Sequence, residues 1–533
     1  MPATFLIRDA RVIDGTGAPW FRACVRVAGG RIAEIGQHLD ANGGPVVDAH
    51  GDWLAPGFID AHCHDDLAFL REPDRPEKLA QGVTSIVVGN CGFSLYPATE
   101  DSRSQLREHF AGLLGSTDLG DIFADFTGYR DALHDAGMAL NLVSLTGHGA
   151  IRLAVMGYAD RPATDTEIAR MQALLARQLA QGAAGISFGL AYPPSAFADT
   201  SELLALARTA AGGGKLVAAH IRSYEGGLMN SIEEFLAILE RSGAPGLLSH
   251  LQAAGRPNWG VIPQAIARLQ TARADGIDVS FDMYPYVAGS SYILQLLPPS
   301  ALDGGLPALR HRLRDPVQRE SLRRWVEDGS DDANLQSKVS LIGWGNVQIS
   351  AVEAPALKPL EGLRMDAAAA QSGIAPFDLL ARLVEEDAGR TGIVMFQLSE
   401  ADVRCACTHP LHMTGSDGLP RPGGKLHPRA FGTFPRMAGR LRTAEGWFGL
   451  EDSVRRMTSI AAQRFGLYDR GIVRPGAVAD LVIFSDRIAD TATFDDPRRF
   501  ATGVSHVFVA GRAVIRDGMP TGERPGRVLR SGA

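Results

Sequence analysis

Cysteines, long apolar runs and an excess of basic charge are scarce or missing in this sequence, and each absence excludes a class of protein. The five cysteines are few and odd in number, and their spacing does not resemble a secreted disulfide framework, so a reduced, cytoplasmic location is expected. The first residues lack a basic segment followed by a long apolar run, which predicts that there is no signal peptide. No stretch approaches the roughly 18 apolar residues of a membrane span.

The charge and the composition exclude further partners. The net charge of −7 is mild, and the basic residues form no stripe of the kind that nucleic-acid-binding proteins carry. With 45% hydrophobic and 21% charged residues, the chain is ordinary for a soluble globular protein, and its length allows roughly two to four domains. We therefore expect neither a nucleic-acid nor a membrane partner. The sequence leaves the oligomeric state open.

Both ends of the chain alternate in the manner of β-strands. Residues 5–13 and 24–35 contain short β runs, with a hairpin-type turn at Gly29-Gly30. Residues 476–484 and 506–515 have the same character. The two ends together predict one small β-sandwich domain, built from residues 1–55 and 466–533.

The middle of the chain, residues 56–465, alternates short apolar runs with longer helical patterns. This alternation is typical of βα units and a parallel sheet, and eight such runs are the number that closes a (β/α)8 barrel of the TIM type. The eight candidate strands are 57–60, 85–88, 140–143, 185–188, 216–219, 246–249, 279–282 and 411–414. Two further runs, 339–342 and 392–395, also fit strands, so the count alone does not fix the barrel. The predicted class is α/β.

Residues 290–350 do not fit the alternation. They contain Pro298-Pro299, Gly304-Gly305 and a charged helical segment near 310–327. We interpret them as an insertion after the seventh strand that could cover the mouth of the barrel as a lid. An ordinary long βα connection explains them equally well.

Potential metal ligands recur where the candidate strands end. In a parallel barrel the carboxyl ends of the strands converge on one mouth, so such side chains meet there. His62 and His64 point to the same side of an extended chain, and Cys63 between them points away. Imidazole, thiolate and carboxylate are the ligand set of zinc. The six residues at strand ends are His62, His64, Cys91, His220, His250 and Asp417.

Two of these residues have an ordinary alternative explanation. A lone Cys91 would more often be a small core residue, but the adjacent Gly92 and the position at a strand end favour a thiolate ligand. Asp417 precedes a glycine, as turn residues commonly do. Its position after a buried strand favours a carboxylate that accepts a proton from a zinc-activated water and returns it to the leaving amine.

The sequence resembles the N-acyl-D-amino-acid deacylases, or D-aminoacylases, of the amidohydrolase superfamily. The resemblance runs nearly end to end, and the histidine-x-histidine motif is shared by the whole superfamily. Three segments point to this branch, namely Asn90-Cys91-Gly92, Leu190-Ala191-Tyr192-Pro193 and Ser416-Asp417-Gly418-Leu419-Pro420. The segments that carry it are 55–66, 81–84, 89–92, 147–149 with Arg152, 185–194, 249–250, 415–420, 427–429 and 432–435.

The resemblance implies a (β/α)8 barrel with a small β domain, and a zinc-dependent hydrolase. Cys91, His220 and His250 would form the tighter zinc site, and His62, His64 and Asp417 a second site that is weaker or empty. Asp417 would be the catalytic acid and base. Tyr192 and Arg429 match positions that hold the substrate carboxylate, a role that suits a two-pronged guanidinium. Tyr284 lies at the predicted mouth and is either a pocket residue or a packed strand aromatic.

Three positions depart from the family pattern. Gln252 stands where many relatives have a lysine, which points to a different side-chain preference. Arg222, shortly after His220, is a candidate for contact with an acidic substrate. One residue more than expected separates Asp417 from Arg429, so the position of Arg429 is not assured.

The sequence therefore predicts hydrolysis of an N-acyl-D-amino acid to a carboxylate and a free D-amino acid. The alternatives are a cyclic amidase of the hydantoinase kind, or a dipeptidase that acts on D-residues. Cyclic amidases typically bridge two metals with a carboxylated lysine, and no lysine stands at a suitable strand end here. A non-catalytic binding protein on the same barrel is a third hypothesis, which the complete ligand set disfavours.

Overall fold

The computed structural model of the protein describes residues 4–116 and 119–531. Strands from both ends of the chain form a single sheet. They are β1 (Phe5–Val12), β2 (Phe21–Ala28), β3 (Arg31–Gly36), β4 (Val46–Asp48), β5 (Trp53–Pro56), β18 (Leu481–Ala489), β19 (Thr502–Val509), β20 (Arg512–Arg516) and β21 (Met519–Pro520). The hydrogen-bonded order is β21-β20-β19-β18-β5-β1-β2-β3, with β4 beside β1.

The terminal sheet is joined across the chain by the antiparallel pair β5 and β18, in which Leu54 lies opposite Ile483. Inward-facing residues such as Ile7, Val25 and Phe508 enclose a separate hydrophobic core. The predicted turn at Gly29-Gly30 joins β2 to β3, with φ of 61° and 80°, values that favour glycine. The predicted small β domain from both termini is confirmed, with its strands in one continuous sheet, whereas the predicted domain limits stay predictions.

A second set of strands forms the barrel. It comprises β6 (Phe58–Asp60), β7 (Val83–Val88), β8 (Asn141–Ser144), β9 (Thr146–Gly147), β10 (Gly185–Gly189), β11 (Leu216–His220), β12 (Gly246–Leu248), β13 (Val279–Met283) and β17 (His412–Thr414). β8 and β9 are two parts of one strand, separated by Leu145, so the strands number eight. All of the pairs between neighbouring strands are parallel.

The ring of strands closes between β17 and β6. Ala61 N donates to Thr414 O at 3.1 Å, and a parallel bridge joins Cys63 to Gly418. Every one of the eight predicted strands falls on a strand of this ring. The α/β barrel predicted from the alternation is confirmed.

Helices connect the strands of the ring and pack against them. They are α1 (Ala68–Arg71), α2 (Pro76–Leu79), α3 (Arg103–Leu114), α4 (Phe126–Ala136), α5 (His148–Met156), α6 (Asp165–Gln181), α7 (Thr200–Gly212), α8 (Leu228–Ser242), α9 (Ile262–Ala274), α15 (Glu400–Thr408), α16 (Arg429–Ala438), α17 (Arg440–Thr443), α18 (Leu450–Met457) and α19 (Ser459–Arg464). Helix α6 begins at a capping box, in which Thr164 and Glu167 each accept a hydrogen bond from the other's backbone N–H.

The chain between β13 and β17 builds a structure of its own. Three antiparallel strands, β14 (Ala288–Tyr292), β15 (Val347–Ala351) and β16 (Gly392–Phe396), form its sheet in the order β14-β16-β15. Its helices are α10 (Gly305–Arg314), α11 (Pro316–Asp328), α12 (Lys338–Ile342), α13 (Met365–Ser372) and α14 (Pro376–Glu386). We call residues 288–396 the inserted segment.

The inserted segment has a hydrophobic core that runs from Ile293 to Met395 and is separate from the barrel core. It therefore continues beyond residue 350. Of the two extra strand candidates, 392–395 belongs to β16. The other, 339–342, is part of α12 and not a strand, because Ser337 caps a helix there by accepting a hydrogen bond from Ser340 N.

The last described residues return to the barrel. Pro525 and Val528 form parallel bridges to Met138 and Leu142, so the C-terminal segment lies along β8. Among the helices of the described ranges, none combines the length and the apolar character that crossing a bilayer requires.

Candidate metal centre and active-site cleft

The predicted ligands lie together at the carboxyl ends of the barrel strands. His62 and His64 follow β6, Cys91 follows β7, and His220 is the last residue of β11. His250 follows β12, and Asp417 follows β17. All six side chains are buried, with at most 8% of the residue exposed. The convergence expected from strand-end spacing is therefore what the structure shows.

Cys91 and two histidines surround one point. Cys91 Sγ lies 3.3 Å from His62 Nε2 and 3.5 Å from His250 Nε2. These three ligand atoms lie within 4.8 Å of one another, close enough to hold one ion. His220 stands beside them, with its Nδ1 3.0 Å from His250 Nε2.

A second group shares His62 with the first. Asp417 Oδ1 lies 3.2 Å from His64 Nε2 and 3.5 Å from His62 Nε2, and these ligand atoms also lie within 4.8 Å of one another. Cys63 points away, as predicted, with its Sγ 3.3 Å from Val87 O. The two groups are thus adjacent, and His62 lies between them.

The backbone at three of these residues adopts the left-handed conformation. Cys91, His250 and Asp417 have φ of 54°, 36° and 49°. Such values are unusual outside glycine, and they persist where the surrounding structure enforces them. At Cys91 the neighbours Gly92 and Gly189 allow the close approach, since a Cβ on Gly189 would lie 1.9 Å from Cys91 O.

Asp282 orients two ligands, and no role was predicted for it. Its Oδ2 lies 3.2 Å from His62 Nδ1, and its Oδ1 accepts a hydrogen bond from His250 N at 2.9 Å. A carboxylate on the far nitrogen of a histidine fixes the ring and its tautomer. The sequence offered one indication of this role, since Asp282 lies near the end of β13 and the predicted ligands also lie at strand ends.

The electrostatics of the site suit a cation. Burial lowers the pKa of His250 to about 4 and that of His220 well below its usual value, so these rings are neutral at neutral pH and offer lone pairs. Burial works in the same direction at His62, but Asp282 and Cys91 outweigh it and raise that pKa. Burial raises the pKa of the Cys91 thiol to about 11. A soft divalent cation that displaces the thiol proton fits this ligand set.

Asp417 is an ionised carboxylate whose two oxygens have different partners. Burial opposes its ionisation, but Arg429 and His64 beside it hold its pKa well below the usual range. Its Oδ2 lies 2.9 Å from Arg429 Nη2, while its Oδ1 faces His62 and His64. Asp417 is therefore placed to accept a proton next to the metal ligands.

Arg429 lies against the cleft residues Asp417 and Tyr284 in spite of the additional residue before it. The guanidinium carbon lies 4.4 Å from the centre of the Tyr284 ring. Its Nε and Nη1 are buried and have no hydrogen-bond partner. Two unpartnered N–H groups on a buried cation are a ready site for a carboxylate. Tyr284 belongs to this wall, and its Oη donates to Gln252 Oε1 at 3.1 Å.

Tyr192 lies on the other side of the centre. Its ring centroid is 4.7 Å from that of His220 and 6.0 Å from that of Tyr292, on which it stacks. Arg222, the candidate for contact with an acidic substrate, lines the same cleft but has its donors occupied. It binds Glu234 at 2.8 and 3.1 Å and the carbonyl oxygens of Ala196 and Ala198. These partners hold Arg222 in place, and its suggested contact with an acidic substrate stays a prediction.

The cleft opens at the barrel mouth. Four of the predicted ligands, two of the predicted substrate residues and part of the inserted segment line it. Its lining includes His64, Tyr192, His220, Arg222, Glu225, His250, Gln252, Tyr284, Ser290, Gln295, Lys338 and Asp417.

A sequence profile of the amidohydrolase family matches residues 45–282 and 342–515, which is more than half of the chain. The chain belongs to the amidohydrolase family. The unmatched stretch between the two ranges contains the first part of the inserted segment.

This amidohydrolase is similar over its whole length to three enzymes of Alcaligenes xylosoxydans xylosoxydans. The D-aminoacylase is 35% identical, over 99% of this chain and 98% of its own. The N-acyl-D-glutamate deacylase is 35% identical, over 99% and 96%. The N-acyl-D-aspartate deacylase is 36% identical, over 99% and 95%. The resemblance to the N-acyl-D-amino-acid deacylases is confirmed.

Solved structures agree. A D-aminoacylase with a binuclear metal centre superposes on this amidohydrolase with a TM-score of 0.84 at 34% identity, covering 99% of this chain and 100% of its own. The N-acyl-D-glutamate deacylase of Bordetella bronchiseptica, complexed with zinc and a phosphonate mimic of the tetrahedral intermediate, has a TM-score of 0.83 at 34% identity and covers 100% of both chains. A D-hydantoinase, at 17% identity and a TM-score of 0.55, shares the fold alone.

Proposed function

We propose that this amidohydrolase uses zinc to hydrolyse the amide bond of N-acyl-D-amino acids, giving a carboxylate and a free D-amino acid. One observation carries the proposal. Asp417 and His250 line one cleft, where Asp417 contacts Arg429 on one side, and His250 belongs to the ligand group with Cys91 and His62. The full-length similarity to the D-aminoacylase and to the two acidic N-acyl-D-amino-acid deacylases supports the same chemistry.

The zinc would be held by Cys91, His220 and His250, with His62 close to the same point. His62, His64 and Asp417 would hold a second, weaker ion, and the binuclear D-aminoacylase is described as activated by one metal and attenuated by the second. When bound, zinc polarises the amide carbonyl and lowers the pKa of water to roughly 7.

The substrate carboxylate would bind the free N–H groups of Arg429. Charge-assisted, two-pronged hydrogen bonds orient the carboxylate as well as bind it. Tyr284 packs against the guanidinium, and Tyr192 closes the opposite side next to His220. An N-acyl-D-amino acid anchored in this way places its amide between Arg429 and the ligand cluster.

Asp417 would move the proton. As water adds to the carbonyl carbon, Asp417 accepts the proton that the water loses. It then donates this proton to the nitrogen as the carbon–nitrogen bond breaks, so the leaving group departs as an amine. One water is consumed, and the products are the acid of the acyl group and the D-amino acid. Arg429 on Oδ2 keeps Oδ1 turned to the reacting centre.

We further propose that the inserted segment serves as a lid. Ser290, Gln295, Lys338 and Met395 of this segment line the cleft. Closure over the barrel mouth would shield the reacting amide and its one attacking water from bulk solvent. A cytoplasmic location suits the five free cysteines, since Cys91 must stay reduced in order to bind zinc.

The test is a substrate panel run with zinc quantified by elemental analysis. N-acetyl amino acids of both chiralities, a hydantoin and D-residue dipeptides are compared at equal enzyme concentration. We expect about one tightly bound zinc per chain and release of D-amino acids from the acetylated substrates alone. Preferred opening of the hydantoin or cleavage of the dipeptides would instead favour the alternative amidases. A protein without zinc that hydrolyses nothing would refute the proposal.

A further inference from the structure

An ion pair between the barrel and the inserted segment lies in the wall of the cleft. Lys338 Nζ, at the start of α12, lies 2.9 Å from Glu225 Oε1, in the loop that follows β11 and His220. The two side chains are only 18% and 7% exposed. The other oxygen of Glu225 accepts hydrogen bonds from Ser223 Oγ at 3.0 Å and Tyr224 N at 3.1 Å. Glu225 is therefore held rigidly by the loop, and Lys338 is its partner from the inserted segment.

The ion pair lies away from the carboxylate site along the cleft. Two residues of the inserted segment contact different parts of the cleft wall. Ser290 O lies 3.5 Å from Arg429 Nη2, whereas Gln295, five residues further along the chain, donates a hydrogen bond to Ala191 O. Gln295, Glu225 and Lys338 line both the cleft and an adjoining cavity. Tyr284, His250 and Asp417 line the cleft but not that cavity, so the ion pair lies on the side of the cleft that faces the cavity.

The order of groups in the substrate matches this order of residues. With the carboxylate on Arg429 and the amide at the ligand cluster, the acyl group is the part that extends onward. This step rests on the proposed function. We propose that the acyl group of the substrate lies against the Glu225–Lys338 ion pair, and that this pair restricts turnover to uncharged acyl groups.

The charges of the cleft give the reason. In the described part of the chain, the arginine and lysine side chains that line it are Arg222, which is bound by Glu234, and Lys338, which is bound by Glu225. Arg429, beside the lining residue Asp417, keeps unpartnered donors for the substrate. A negatively charged acyl group would have to pair with Lys338 in place of Glu225, which leaves the buried Glu225 carboxylate without a partner. A positively charged acyl group would pair with Glu225 and leave the Lys338 ammonium without a partner. Leaving one member of a buried pair alone is strongly unfavourable. Uncharged groups meet the amides of Gln295, Asn334 and Gln336 in the adjoining cavity instead.

The test compares three acyl groups on one D-amino acid, the one whose N-acetyl derivative the zinc-loaded enzyme hydrolyses best. The acyl groups are acetyl, which is neutral, succinyl, which adds a carboxylate, and glycyl, which adds an ammonium. We expect the wild type to prefer acetyl by about 100-fold or more in kcat/KM over both charged groups. Equal rates on acetyl and succinyl substrates would overturn the inference. Failure to hydrolyse any acetylated D-amino acid would overturn the proposed function itself, a distinct result.

Two variants should change selectivity in opposite directions. Glu225→Gln leaves Lys338 free and should raise the relative kcat/KM for succinyl substrates about tenfold or more. Lys338→Met leaves Glu225 free and should do the same for glycyl substrates. Lys338→Arg keeps the pair and should keep the wild-type preference.

The matched control is Lys358 with Glu361, a pair of the same type and distance in the inserted segment but outside the cleft. Lys358→Met and Glu361→Gln should leave the selectivity unchanged.

The variants also separate the inference from a merely structural role. If the ion pair only stabilises the fold, its loss would lower kcat/KM for the acetyl, succinyl and glycyl substrates by the same factor. That outcome would refute the proposal. A change in preference between N-acetyl-D-glutamate and N-acetyl-D-glutamine, with no change among acyl groups, would place the amino-acid side chain at the pair and refute it too. Thermal unfolding of each variant shows whether it is folded, and the Glu225→Gln variant keeps the test decisive if Lys338→Met does not fold.

Discussion

Lys78 Nζ lies 2.7 Å from Asp60 Oδ2, and both side chains are enclosed by the protein. The same ammonium lies 3.2 Å from Ser416 Oγ and 3.3 Å from Asp65 Oδ2. Asp60 in turn accepts hydrogen bonds from the N–H and the hydroxyl of Ser416, at 2.7 and 2.6 Å. This buried cluster fixes the residue that precedes Asp417, so it positions the proposed acid and base without touching substrate.

We predict that Lys78→Met destabilises the protein by about 3–5 kcal/mol, because it leaves the buried Asp60 without its cation and Asp65 with Arg75 alone. Urea unfolding followed by circular dichroism measures the effect. Lys358→Met, at an exposed lysine, is the control and should change stability by less than about 0.5 kcal/mol. Equal stability of the two variants would contradict the role of the cluster.

Asp417→Asn should lower kcat by at least about 100-fold, since an amide cannot accept and return the proton. The change keeps the shape of the side chain, so we expect the melting temperature to stay within a few degrees and zinc to remain at Cys91. Steady-state kinetics and elemental analysis on one preparation give both quantities. A kcat near that of the wild type would exclude Asp417 as the base.

Arg429→Lys should raise KM about 100-fold with a smaller change in kcat, because lysine lacks the planar pair of donors that the carboxylate needs. Arg436→Lys is the matched control. Arg436 lies on the same helix, with its guanidinium carbon 4.6 Å from the centre of the Tyr286 ring and an ion pair with Asp490 at 3.0 Å. If both variants raise KM alike, a general effect of helix α16 explains the loss.

Cys91→Ser should reduce the zinc content to well below one per chain, because the thiolate is replaced by a poor ligand for this ion. Cys63→Ser is the control and should keep the zinc. Cys63 is also a buried cysteine after a barrel strand, but its sulfur points to Val87 O and away from the ligands. Zinc analysis after dialysis against a weak chelator distinguishes the two variants. Retention of zinc by the Cys91 variant would place the ion elsewhere.

His109 predicts a dependence of stability on pH. It stacks on Phe93 with the ring centroids 4.3 Å apart, and burial lowers its pKa to about 3. Below the unfolded pKa of about 6.5, the unfolded chain binds a proton that the folded protein does not, so stability falls as the pH falls. The loss from this residue is about 2 kcal/mol at pH 5.

His109→Phe should remove that contribution, so the difference in unfolding free energy between pH 8 and pH 5 becomes smaller by about 2 kcal/mol. Denaturant unfolding at the two pH values measures it. His134→Gln, at an exposed histidine, should leave the difference as in the wild type. The same pH dependence in the His109 variant would refute the prediction.

The strand-end ligands could be predicted from the sequence because their position follows from a local pattern, a short apolar run followed by a polar residue. His62, Cys91 and Asp417 were found in this way. Lys78 and the Glu225–Lys338 pair could not be, since the partners of each are brought together only by the folded chain, and Glu225 and Lys338 are 113 residues apart. The extent of the inserted segment was missed for a related reason. Its strand β16 pairs with β14, about a hundred residues earlier in the chain.

The left-handed backbone at Cys91, His250 and Asp417 has a consequence for metal choice. Side chains on a backbone held in this way start from directions set by the fold, and each such residue costs of order 1–3 kcal/mol to hold there. The fold therefore sets the directions of these three ligand side chains before an ion binds. A thiolate and imidazoles held in fixed directions favour zinc over ions that prefer oxygen ligands.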